Sequence, residues 1–262
     1  MTNRVLFMML DGLRPDAVSA DRTPNFWGLM QRGAYTLKGQ SMNPSLTLPC
    51  HMSIFHSIPP ERHGIIDNDY HSMARPVRGL VEQLKLYDYA SAFFYNWEQL
   101  RDVSRPGSLA FSFFTDTAYT LDGDDIMAQQ AVQHFQNSPT PFTFLYFGTI
   151  DSVGHAFGWM SEMYLAQAHR VDALLGDVLA ILDKDTFVIA HADHGGHERT
   201  HGTTLPEDMT IPFAMAGKGI KQGYELTTPV SLLNTAPTVT HLLGIKPYTD
   251  WEGTPLTEAL LS

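Results

Sequence analysis

The chain has 262 residues, 17 basic against 28 acidic side chains for a formal net charge of −11, and 44% hydrophobic residues. That length buries a sizeable core, the apolar fraction excludes a disordered chain, and the acid excess argues against a protein that grips nucleic-acid duplexes by neutralising phosphates. No apolar run approaches the roughly 18 residues that span a bilayer, and the single cysteine, Cys50, excludes an internal disulfide.

The opening MTNRVLFMMLDGLRPD does not read as a signal peptide: Asp11 cuts its apolar run and no small-residue cleavage site comes after it, so a cytoplasmic location is expected. Val5–Leu10 is a short, continuously apolar run, the pattern of a strand buried on both faces. Thr23–Arg32 predicts a helix with Thr23 as N-cap, Pro24 at the first helical position and Gly33 beyond the end. Thr47-Leu48-Pro49 opens a helix through the apolar and small residues Met52–Ile58. Ser91–Tyr95 is a second buried strand, and Gly123–Gln136 a helix with Asp124 and Asp125 in its first turn, where acids favour the dipole. A strand over Phe142–Ile150, an amphipathic helix over Ser161–Leu182, strands over Thr186–Ala190 and Ile211–Ala216 and a helix over Asn234–Leu243 complete the chain.

Strands alternating with helices predict an α/β fold with a mostly parallel sheet covered on both faces. No stretch rich in Pro, Gly or Ser divides residues 1–262, so one domain is expected. Residues 70–122 are less regular and rich in aromatics (Phe93, Phe94, Tyr95, Trp97, Phe111, Phe113, Phe114, Tyr119), which suggests a small cap or insert at the sheet edge.

The residues that carry chemistry stand at the strand ends. Asp11 comes directly after the first strand; Asp151, with His155 four residues on, comes after the aromatic one; Asp193 and His194 come after Thr186–Ala190. In open α/β sheets the carboxyl edge is where ligands bind. One Asp there is most simply an N-cap, but three, two of them with a nearby His, form the mixed oxygen and nitrogen set that suits a divalent cation. His191, His194, His197 and His201 fall within eleven residues. His191, between two alanines at a strand end, reads as packed, and His197 has no assigned role. Thr47 offers a hydroxyl at a helix N-terminus, where it is either a plain cap or a nucleophile that needs a metal to lower its pKa.

These pieces together resemble the alkaline phosphatase superfamily and, within it, the nucleotide pyrophosphatase/phosphodiesterases. The matching fragments are Asp11-Gly12 in LDGLRPD, Thr47 in TLPCH, HGIIDN at His63–Asn68, DSVGHAFG at Asp151–Gly158, ADHGGH at Ala192–His197 and THGTTLPEDMTIPF at Thr200–Phe213. The resemblance implies a three-layer sandwich and two divalent metal ions, zinc with manganese as the alternative. One ion would be held by Asp11, Thr47, Asp193 and His194, the other by Asp151, His155 and His201. It further implies Thr47 as nucleophile and Asn68 as phosphoryl-oxygen partner. The implied substrate is a small phosphorylated molecule, a nucleotide or other phosphodiester, cleaved at a phosphodiester or pyrophosphate bond.

The chain departs from the family at Cys50, where the family usually has Asn. It lacks the sulfatase nucleophile motif C-x-P-S-R and its serine form. A phosphomonoesterase or phosphonate hydrolase of the same superfamily is the alternative, but no Arg is placed by motif to meet the extra charge of a monoester, Arg14 and Arg62 reading as surface or packing residues. A phosphomutase would carry a sizeable second domain, and none is evident. Tyr70, two residues beyond Asn68, is the best single candidate to line a substrate pocket.

Overall fold

The computed structural model describes residues 3–261. Its elements run β1 (Arg4–Leu10), α1 (Pro24–Gln31), β2 (Ala34–Gln40), α2 (Thr47–His56), α3 (Pro60–His63), α4 (Leu80–Lys85), β3 (Ser91–Tyr95), β4 (Phe111–Phe114), α5 (Gly123–Asn137), β5 (Phe142–Phe147), α6 (Thr149–Phe157), α7 (Glu162–Ala180), β6 (Thr186–His191), α8 (Pro206–Met209), β7 (Thr210–Ala216), β8 (Tyr224–Glu225) and α9 (Thr235–Leu242). The eight strands form one sheet in the order β4-β3-β5-β1-β6-β7-β2-β8. Five neighbouring pairs are parallel, and only β6·β7 and β2·β7 are antiparallel. One group of helices, α1, α5 and α6, packs against α7; another, α2, α4 and α9, packs together. The expected α/β sandwich with a mostly parallel sheet is the architecture observed.

The central strands β5, β1 and β6 are buried along almost their whole length, as their continuous apolar runs require. Residues 70–122 lie at one edge of the sheet and extend it: β3 pairs with β5, and β4 with β3. No described helix is long and apolar enough to cross a membrane.

Local differences from the sequence reading trace to buried carboxylates. Thr23 flanks α1 but does not cap it; its hydroxyl bonds back to the Ser19 carbonyl. The first N–H groups of α1, those of Asn25 and Phe26, instead donate to Asp172 on α7 at 2.9 and 2.7 Å. An ionised carboxylate is the stronger acceptor, so a tertiary partner displaces the local cap. The strand predicted to reach Ile150 ends at Phe147, because Asp124 accepts the N–H groups of Gly148 and Thr149 at 3.0 and 3.1 Å and nucleates α6 there. Asp151 therefore sits in the first turn of a helix.

Candidate metal centre and active site

Three adjacent strands bring the candidate ligands together. Asp11 leaves the end of β1, Asp193 and His194 lie just past β6, and α6 carries Asp151 and His155 just beyond β5. Gly12, with φ +73°, lets the β1 loop press against α6; a Cβ there would meet the Asp151 backbone at 3.0 Å. Thr47 is the first residue of α2, with Leu46 at the N-cap position before it, so its side chain is free of capping duty.

The first cluster is Asp11, Asp193 and His194, all buried. The His194 Nδ1–H donates to the Gly195 carbonyl at 2.8 Å, which leaves a lone pair on Nε2. That lone pair faces Asp11 Oδ1 at 3.2 Å, Asp193 Oδ2 at 3.4 Å and Thr47 Oγ1 at 3.2 Å. Asp11 Oδ1 and Asp193 Oδ2 have no hydrogen-bond partner despite complete burial. Burial, then the charges of Asp193 and Asp151, push the Asp11 carboxyl well above its ordinary range. Two unpartnered carboxylate oxygens beside an imidazole lone pair, with the Thr47 hydroxyl as the one donor among them, form an arrangement that a cation resolves.

The second cluster is Asp151, His155 and His201. Again both imidazoles spend Nδ1–H on backbone carbonyls: His155 on Arg199 at 3.0 Å and His201 on Ser45 at 2.7 Å. Their Nε2 atoms then face each other at 3.0 Å with Asp151 oxygens 3.5 Å from each, and Asp151 Oδ1 is buried without a partner. Burial lowers the His201 pKa to about 4, so the ring is neutral and ligand-ready at pH 7. A carbonyl fixing the far nitrogen is the usual second partner of a metal-bound imidazole. The clusters touch through the His194 and His201 rings, stacked 3.8 Å apart at 12°. Each donor set fits one divalent cation, and Thr47 stands beside the first.

All seven predicted ligands thus converge. Asn68 is also at the site: its Oδ1 accepts the Leu48 N–H at 3.0 Å, which leaves its amide NH₂ free to donate. Tyr70 lies further out, 42% exposed, on a cavity of about 300 Å³ that Met52, His56, Met73 and Val77 also line. His191 is packed, between Phe7 and Phe213. His197 belongs to neither cluster; its Nδ1–H donates to the buried Asp208 at 2.7 Å. Cys50 is a buried packing residue: its Sγ lies 3.3 Å from Ser41 Oγ, and burial pushes the thiol pKa up. Arg14 is tied to the Gly196 carbonyl and Asp16, and Arg62 to Glu252 and the Asp250 carbonyl.

Three supporting residues escaped the sequence reading. Tyr146, on β5, donates its hydroxyl to Asp11 Oδ2. His51, one helical turn after Thr47, donates to the Thr47 carbonyl at 2.8 Å and approaches Asp193 Oδ2 at 3.6 Å; the i, i+4 spacing was the available signal. Trp159 donates its indole N–H to the Gly12 carbonyl at 3.0 Å and stands 5.0 Å from the His155 ring and 5.7 Å from His201. Its indole occupies the space left by Gly154 and Gly196, where a Cβ would come within 2.7 and 2.2 Å.

Sheet order and helix layers define a fold that the chain shares with solved pyrophosphatase/phosphodiesterase structures. The family model for type I phosphodiesterase / nucleotide pyrophosphatase matches residues 5–84 and 88–205, and the chain belongs to that enzyme family. It is 23% identical over 226 residues to human ectonucleotide pyrophosphatase/phosphodiesterase family member 7, covering 74% of this chain and 48% of the relative. It is 33% identical over 92 residues to arylsulfatase K of Danio rerio, covering 31% of this chain and 18% of that one. The chain therefore spans about half or less of the length of these curated relatives. Among solved structures, an inactive variant of murine ectonucleotide pyrophosphatase/phosphodiesterase 5 in complex with AMP superposes with TM-score 0.83 at 14% identity, covering 99% of this chain and 100% of the other.

Proposed function

We propose that the protein is a metal-dependent hydrolase of phosphodiester or pyrophosphate bonds in small nucleotide-like substrates, with Thr47 as nucleophile. The observation that carries this reading is the pair of touching, lone-pair-lined clusters, the buried one in contact with the hydroxyl of Thr47, which is 4% exposed. Asp11, Thr47, Asp193 and His194 would hold one cation, and Asp151, His155 and His201 the other; zinc suits these ligands, and manganese is also accepted. When bound, the cations supply the positive charge that lowers the Thr47 hydroxyl pKa and offsets charge on the phosphoryl oxygens.

The chain's own residues do the rest. Thr47 Oγ1 gives its proton to solvent and forms the new bond to phosphorus as the bond to the leaving oxygen breaks in line. The leaving alkoxide or phosphate takes up a proton from solvent. Asn68 Nδ2, held in place by the bond from the Leu48 N–H to Oδ1, donates to a non-bridging oxygen. His51 anchors the Thr47 carbonyl, so the nucleophile does not drift from His194. Water then cleaves the Oγ1–phosphorus bond and returns the hydroxyl. The Tyr70 cavity is a suitable berth for the organic part of the substrate.

One observation favours a diester over a monoester. Arg14 and Arg62 are both engaged elsewhere, which leaves neither free for the extra phosphate charge. The AMP complex of the murine relative supports a nucleotide. The sulfatase relative does not redirect the reading, since the chain carries neither the sulfatase nucleophile motif C-x-P-S-R nor its serine form. The test is a set of side-by-side rates on nitrophenyl diester, monoester and phosphonate substrates, with chelator and with zinc or manganese added back. Diester turnover that stops with chelator and returns with metal is expected. A monoester rate above the diester rate by more than about tenfold would move the assignment to a phosphomonoesterase.

A further inference from the structure

We infer that Asp208 is a positioning residue that sets the separation of the two cation sites by clamping the segment on which His194 and His201 are carried. The inference rests on the two-cation reading of the site and goes beyond it, because Asp208 belongs to neither ligand cluster.

His194 and His201 belong to different clusters yet lie only seven positions apart on one loop, between β6 and α8. Within the loop one reciprocal backbone pair, His197 with Thr200 at 2.9 Å each way, closes only the tip, and something else must hold its limbs. Asp208, 0% exposed, does so from four directions. Its carbonyl accepts the Gly195 N–H at 2.8 Å, immediately beside His194. Its Oδ1 accepts His197 Nδ1–H at 2.7 Å, in the middle of the loop. Its Oδ2 accepts the Thr203 N–H at 2.9 Å and the Thr203 hydroxyl at 2.7 Å, just beyond His201. An ionised carboxylate accepts and never donates, so it suits a site where three donors converge. The far limb is closed from the other side by Ser45, whose carbonyl takes His201 Nδ1–H at 2.7 Å and whose hydroxyl donates to the Thr203 carbonyl at 2.8 Å. With both limbs held, the rings stack at 3.8 Å, and that stack is the direct contact between the two clusters.

A carboxylate that only stabilised a turn would change melting temperature and nothing else. Asp172 supplies the comparison, because it is also a buried carboxylate that gathers backbone N–H groups, but at the start of α1. The experiment loads the full chain with manganese and reads binding of each equivalent by calorimetry and the exchange coupling of the ion pair by electron paramagnetic resonance. In Asp208→Ala the second equivalent is expected to bind roughly tenfold to hundredfold more weakly, with coupling shifted from wild type. Asp208→Asn should restore most of both, since His197 can turn its tautomer to meet the amide. Asp172→Ala should lower the melting temperature while leaving the coupling as in wild type. Wild-type affinity and coupling in Asp208→Ala would overturn the inference and leave the metal reading standing, as would an equal shift in Asp172→Ala. If Asp208→Ala fails to fold, Thr203→Val, which removes the hydroxyl's bond to Asp208 together with the one it accepts from the Leu205 N–H, takes its place, and an unchanged coupling there overturns the inference. A wild-type chain that binds no pair of ions would sink the metal reading itself and the inference with it.

Discussion

The two carboxylate–histidine clusters use the same residue types in opposite settings. Asp11, Asp193 and His194 are 1%, 0% and 0% exposed, and Tyr146, His51 and the Gly195 carbonyl brace them from below. The His155 side chain is 44% exposed and Asp151 15%, held chiefly by loop carbonyls. The buried cluster is the one that touches Thr47, where a nucleophile benefits from fixed geometry and scarce water. The open cluster faces solvent, the side on which, in the proposed mechanism, a leaving group would depart and water arrive. In that reading one ligand chemistry would serve two tasks, divided by burial.

The largest test of this division is Thr47→Ala. Turnover should fall by more than about 1,000-fold with metal content nearly intact, because no second hydroxyl can take its place; a variant that keeps over roughly a tenth of the rate would remove Thr47 from the mechanism. Next comes Asp193→Ala set against His155→Ala. The first strips a ligand from a sealed site and should lower both metal stoichiometry and melting temperature. The second should weaken metal binding while the fold stays close to wild type. Equal thermal losses in the two would erase the contrast. Chelator should likewise empty the protein in two phases, with the open cluster first, as read by timed metal analysis.

Smaller effects refine the picture. Tyr146→Phe removes the donor to Asp11 and should reduce metal affinity or activity by about tenfold to hundredfold. Two buried histidines away from the clusters predict a pH response. His56 on α2 and His63 on α3 are neutral in the fold, with pKa values lowered to about 4 by burial, against roughly 6.5 for an unfolded chain. Between those values the unfolded state binds more protons, so stability is full above about pH 6.5 and declines as pH falls towards 4, by on the order of 2 kcal/mol per histidine. Urea midpoints at pH 7 and pH 5 check this, and equal midpoints would refute it.

Which residues the sequence disclosed has a physical explanation. Asp11, Asp151 and Asp193 were legible because a continuously apolar strand must end, and an acid at each end repeats the same position in the sheet. Thr47 and Asn68 needed the family resemblance, since either residue alone also reads as a cap or a turn. Tyr146 was hidden inside the run Phe-Thr-Phe-Leu-Tyr-Phe, where nothing local separates a buried phenol with a partner from one without. β2 went unassigned because Lys38 and Gly39 break its apolar pattern at an irregularity in the register, and β4 because three of its four residues are exposed on the sheet edge. The antiparallel course of β7 depends on its partners β6 and β2, which its own residues do not specify.

The indole of Trp159, wedged where two glycines leave room, gives the molecule an optical gauge of its own. It is one of four tryptophans, and it lies within 6 Å of two imidazoles of the open cluster. A paramagnetic ion seated there would drain its fluorescence and zinc would not, so titration with cobalt and then exchange for zinc should dim and then brighten the emission. Filling of that half of the centre can then be tracked by light alone, with no substrate added.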